Sequence, residues 1–153
     1  MLQQGLRNGN IEITKQDPAE VARLIKSAHL QRKGADFNRE DFPELAYNAA
    51  YFSIINACDA LLVANGYRAR GFGGHEVALN CAAELLMPTS NAVATTLKTT
   101  IRRTARKVRC RVMYGGEPAG RDRLQDIIRH ADSILRVIEP IATRKSKASE
   151  FVS

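Results

Sequence analysis

The segment KTTIRRTARKVRCR, residues 98–111, holds seven basic side chains and no acidic one. Arg102, Arg106 and Arg109 fall at i, i+4 and i+7, on one ridge of a helix, and Arg103, Lys107 and Arg111 fall on another. Like charges at that spacing repel by a few tenths of a kcal/mol per pair, roughly. So many uncompensated cations need an outside partner or acidic neighbours. Phosphate is the natural outside partner, because a guanidinium offers a planar fork of N–H donors to phosphate oxygens. The internal alternative is a solvated face partly neutralised by Asp122, Asp126 and Asp132 further along.

Other candidates are weaker. Residues 67–75, YRARGFGGH, place Arg68 and several glycines before a helix, where phosphate can bind. Their spacing fits neither of the common glycine-rich phosphate loops, so a chain reversal is the better expectation, with His75 capping or packing. Asn48, Asn56 and Asp59 interrupt an otherwise apolar helix. Asn56 and Asp59 share a face and must find partners if buried; an arginine from the basic segment is expected to clamp them. His29 and His130 read as helix-flank residues. Cys58, Cys81 and Cys110 are odd in number and far apart, and they form neither a disulfide framework nor a zinc pattern. No metal and no cofactor are expected.

Five helices must position these side chains. The first covers 14–33, with Asp17 as cap, Pro18 behind it, a stripe of Val21, Leu24, Ile25 and Ala28, and Gly34 as its end. The second covers 41–65, with an apolar face wide enough for contact on both sides and a left-handed stop at Asn65-Gly66. The third covers 76–87 and closes at Pro88. The fourth starts at a Thr89, Ser90 or Asn91 cap and carries the basic segment to Tyr114. After GGEP the fifth covers 119–141 and ends near Pro140. Alternation is weak and confined to 10–14, so no strand is assigned. Short connections make neighbours antiparallel. The expected fold is all-α, an up-and-down antiparallel four-helix bundle with an additional short helix. It forms one domain over 1–153, with a core of about 17–141 and flexible ends at 1–13 and 143–153.

At 153 residues, 44% hydrophobic and 25% charged, the chain is a globular domain and not a disordered one. No apolar run is long enough for a membrane span, and no apolar leader is visible, so a reducing, cytoplasmic setting is expected. The charge is lopsided. Residues 1–97 hold nine basic and ten acidic side chains, and residues 98–153 hold fourteen and six. The second half therefore calls for an anionic partner: nucleic acid, a nucleotide or an acidic protein face.

The string AYNAAYFSIINACDALLVANGYRARGFGGHEVALNCAAELL, residues 46–86, resembles the central helical hairpin of HEPN (higher eukaryotes and prokaryotes nucleotide-binding) domains. The similarity lies in the Tyr- and Ala-rich helix, the ALL…GYR ending and the Gly/His loop. It continues through RRTARKVRCRVMYGG and DIIRHADSILRVIE, so it covers about 17–141. The resemblance implies a four- to five-helix bundle, commonly a homodimer, that works with RNA or nucleotides. Some such domains are ribonuclease toxins, some partner nucleotidyltransferases or antitoxins, and several are non-catalytic. Ribonuclease members carry Arg, four to six residues, then His, in a composite dimer site. Here Arg109 matches that arginine, but Tyr114 stands where His would be. A phenol with a pKa near ~10 is a poor base at neutral pH. Arg123 and His130 match the spacing later in the chain.

These observations point to a stand-alone prokaryotic HEPN-like module with a degenerate motif, binding RNA or nucleotide without catalysis. Arg102, Arg106, Arg109 and Tyr114 would line the anion site, with Arg111 and Arg68 as accessories and Asn56 and Asp59 as a polar core pair. Two alternatives stay open. One is a metal-independent endoribonuclease using Arg109 with Tyr114, or Arg123 with His130. The other is an interaction subunit whose basic helix docks an acidic nucleotidyltransferase or antitoxin.

Overall fold

The structure, a computed structural model, describes residues 1–71 and 73–148. The chain runs α1 (Leu2–Arg7), β1 (Ile11–Ile13), α2 (Pro18–Asn38), α3 (Pro43–Ala64), β2 (Tyr67–Ala69) and α4 (Gly74–Leu86). A single rod follows, made of α5 (Asn91–Thr96), a π-helical stretch (Leu97–Ala105) and α6 (Arg106–Tyr114); α7 (Arg121–Ala148) completes the fold. It is a mostly helical, all-α bundle, as the apolar periodicity requires.

Helix α3 is the centre. It is buried along almost its whole length, from Ala46 to Ala64, and packs chiefly on α2 and α7 and also on α4 and α6. Alanines make the close approach possible: Ala28 and Ala35 of α2 and Ala50, Ala57 and Ala60 of α3 are all buried. The Ser53 hydroxyl donates to the Ala28 carbonyl at 2.8 Å, which ties the α2 and α3 backbones together. The wide apolar face of α3 is therefore used up inside the molecule.

Two helix ends differ from expectation. Helix α2 starts at Pro18, four residues later than expected but on the expected cap, with the Asp17 carboxylate accepting from the Ala19 and Glu20 amides at 3.0 and 3.2 Å. It then continues through Gly34, because there α2 lies close against α3; the nearest atom to a side chain at Gly34 is the Ala49 methyl, 3.9 Å away. Helix α7 likewise runs through Pro140 to Ala148. Interior proline costs about 3 kcal/mol. Ile134, Ile138 and Ala142 continue one fully buried stripe across it, and that burial outweighs the missing amide.

The segments expected to be flexible ends also carry structure. Residues 1–13 form α1 and β1, and residues 143–148 belong to α7; 149–153 lie outside the described residues. The first part of the Gly-rich loop is β2, which pairs antiparallel with β1 in the register Glu12↔Arg68. Residue 72 of that loop lies outside the described residues. Gly66, at φ 80°, makes the turn from α3 into this ribbon, with its carbonyl accepting from Thr14 at 2.9 Å.

Candidate anion-binding site around Arg109

The basic rod is amphipathic in the predicted sense. Leu97, Ile101, Ala105, Val108 and Val112 are buried as a seam, and the cations occupy the rest of the circumference. Nine consecutive π-helical residues are unusual, since this geometry ordinarily appears as single-turn bulges, often at functional sites. Thr96 and Thr99 hydroxyls donate back to the carbonyls of Ala92 and Thr95, an arrangement that loosens and bends a helix.

Most of the arginines have internal carboxylate partners. Glu76, in the first turn of α4, accepts from Arg102 Nη1 at 2.8 Å and faces Arg106 Nη2 at 3.5 Å. Glu117, in the loop after α6, accepts from Arg111 Nε at 3.1 Å and Arg123 Nη1 at 3.2 Å. The arginines' charges hold the Glu117 carboxyl below its ordinary range, the Arg111 hydrogen bond most of all. The neutralising acids are thus not the aspartates of the last helix. Asp132 pairs with Arg32 of α2 at 2.6 Å, and Asp126 pairs with its neighbour Arg129. Arg68 sits on the ribbon and donates to Glu20 at 2.6 Å. It is not an accessory of the same site.

Arg109 differs from all of these. Its Nε donates to the neutral Asn48 Oδ1 at 2.7 Å, and among the described residues no carboxylate pairs with it. Its guanidinium carbon lies 4.9 Å from the centre of the Phe52 ring, 5.4 Å from Tyr51 and 5.9 Å from Tyr114. Such contacts hold a cation in place without cancelling its charge. Tyr114 is 79% exposed, with its ring at the edge of this group. Arg109 and Tyr114, paired in the sequence by the family resemblance, lie together here. Arg103 and Lys107, both exposed, form no ion pair among the described residues.

His75 joins the same cluster. It stands at the start of α4 with its ring 5.3 Å from Phe52 and 6.2 Å from Tyr51. Burial, and secondarily the Arg109 charge, lower its pKa, so the imidazole is neutral near pH 7. The Tyr51 hydroxyl is fully buried and has no hydrogen-bond partner among the described residues; burial pushes it up to about 12. No sequence spacing links residues 48, 51, 52 and 75 to 109. Only the packing of α3, α4 and α6 assembles them.

The expected clamp on Asn56 and Asp59 does not involve the basic rod. Asn56 donates to the Ser27 hydroxyl on α2 at 3.0 Å, and the nearest cation influencing Asp59 is Arg68 of the ribbon. The α3 side chain that hydrogen-bonds an arginine of the rod is Asn48. Arg123 and His130 line a different, small cavity of about 130 Å3, with Tyr47, Thr100, Thr104 and Asp126. Burial lowers the His130 pKa.

Among the described residues no group of three or more His, Cys, Asp or Glu side chains could hold a metal ion. No described helix is long and apolar enough to cross a membrane. No family model, curated protein or solved structure matches the chain.

Proposed function

We propose that the protein is a HEPN-like helical module that binds RNA or a nucleotide through phosphate contacts centred on Arg109, without catalysing a reaction. The observation that carries this is the state of Arg109: a positioned guanidinium whose partners are one amide oxygen and aromatic rings, so its charge and most of its donors remain available. Tyr114, exposed beside it, supplies a stacking surface for a base, and Arg103 and Lys107 extend the positive track along the rod. Arg102, Arg106 and Arg111 contribute less, because Glu76 and Glu117 already hold them. The setting is cytoplasmic, the module works as a homodimer, and a nucleotidyltransferase or antitoxin partner fits the same surface.

Fluorescence anisotropy with a short single-stranded RNA and with ATP tests this. Micromolar binding at low salt, lost in Arg109→Ala, is expected. No binding of either at 20 mM salt overturns the proposal and leaves the protein-interaction alternative.

One observation favours a second function, metal-independent RNA cleavage: Arg123 and His130 line one cavity together with Thr100 and Thr104 hydroxyls. The Arg123 guanidinium, once released from Glu117, could steady a phosphate there while a neutral imidazole takes a proton. Cleavage of RNA in the presence of a chelator, abolished by His130→Ala, would establish it; absence of cleavage removes it.

A further inference from the structure

A second cavity, of about 200 Å3, opens about two turns farther along α3, under the β-ribbon. Leu24 of α2 and Leu62 and Val63 of α3 form its apolar wall, and Glu20, Arg23, Asp59 and Arg68 form its polar one. The charges there are arranged unevenly. Glu20 is held by Arg68 at 2.6 Å and by Arg23 at 3.5 Å, and Arg68 also faces Glu12 at 3.8 Å. Asp59 is left out. It is partly buried, and among the described residues no donor or cation bonds to its carboxyl.

The Asp59 carboxyl is drawn partway out of water with no protein donor to replace what it loses, so a donor supplied by a ligand is favoured there. Burial raises it to about 6; Arg68 pulls it down and Glu20 pushes it up. At neutral pH it is thus largely an anion that lacks a partner. The cavity beside it has room for roughly seven water-sized volumes, the bulk of a small branched amine. An anionic ligand is a poor fit, because the nearby guanidiniums are occupied and Asp59 would repel it.

We propose that this cavity binds a small protonated amine or amidine with an apolar body, its N–H group donating to Asp59 and its carbon skeleton lying on Leu24, Leu62 and Val63. The complementarity is that of a charge-assisted hydrogen bond set in an apolar wall. The site is independent of Arg109 and stands whether or not the protein binds RNA.

The test uses the full chain with isopentylamine and benzamidine as probes, and isopentanol and isovalerate as uncharged and anionic counterparts. Amide chemical shifts of Leu62, Val63 and Ala69 are followed during titration at pH 7.5. Saturable shifts are expected with the amines, at least tenfold tighter than with either counterpart. Asp59→Asn should weaken amine binding at least tenfold while leaving RNA affinity unchanged. Leu24→Phe, which narrows the cavity without touching an ion pair, should weaken it too, and it serves alone if Asp59→Asn fails to fold. Shifts absent with both amines, equal shifts with isopentanol or isovalerate, or full amine affinity in either variant would overturn the proposal.

Discussion

Arg109 and Arg111 are two residues apart on one helix, yet their surroundings give them different capacities for anions. A carboxylate partner such as Glu117 must be displaced or neutralised before Arg111 can serve a phosphate, whereas Asn48 carries no charge to displace. A hydrogen bond to a charged group is worth about 1.5–3 kcal/mol. Arg109→Ala should therefore weaken RNA or nucleotide binding roughly ten- to hundredfold, measured by anisotropy, while Arg111→Ala costs less than about threefold. At the same scale, Asp59 governs part of the pH dependence of stability. Its folded-state pKa, about 6, lies above its ordinary value of 3.8, so the native state holds the proton more tightly than the unfolded chain does. Stability from this group is present below the ordinary value and is lost as pH rises toward 6. Asp59→Asn removes that loss. Its advantage over the parent in urea melts should be absent at pH 4 and grow to on the order of 2 kcal/mol by pH 7. A flat difference across that range would refute the assignment.

The elements carry their own predictions. Proline in the middle of α7 is sustained by the buried stripe on both sides of it, not by local preference. Pro140→Ala should restore the missing amide and raise stability by about 1–3 kcal/mol in denaturant titration, with no change in helix content. Helix α4 acts on the rod through one side chain. Glu76 draws on both Arg102 and Arg106, and it lies next to His75 in sequence. Glu76→Gln frees both guanidiniums, so anion affinity should rise about two- to fivefold, the yield of releasing partly exposed ion pairs. A fall in affinity would mean that Glu76 holds the arginines in a productive position and not out of reach.

For the molecule as a whole, binding should follow the number of free cations. If Arg109, Arg103 and Lys107 are the effective contacts, affinity for single-stranded RNA should drop roughly tenfold to thirtyfold between 50 and 200 mM salt. A drop of several hundredfold would mean that the paired arginines take part too. The homodimer proposal needs a surface outside the bundle core. The broad face of α3 is consumed in the bundle, so it offers no surface for a dimer. Among the exposed apolar side chains, Phe37, 88% exposed, lies with Phe42 and Leu45 around the turn between α2 and α3. Sedimentation of the Phe37→Ser, Phe42→Ser double variant as a monomer, against a dimeric parent, is the expected outcome of the homodimer proposal.

Apolar periodicity and capping residues are enough to name an all-helical bundle, to place α3 at its centre, to set the cap at Asp17 and the stop at Gly66, and to narrow the next cap to residues 89–91, of which Ser90 serves. These features depend on neighbours three or four residues away, and spacing along one chain encodes them directly. Gly34 and Pro140 defeated the same logic, because burial against a distant helix exceeded the local penalty at each. Which arginines are free could not be read from 98–111 at all. Glu76, Glu117 and Asn48 reach that segment from other elements, and whether a cation is cancelled or kept depends on which side chain stands within a few ångströms of it in space.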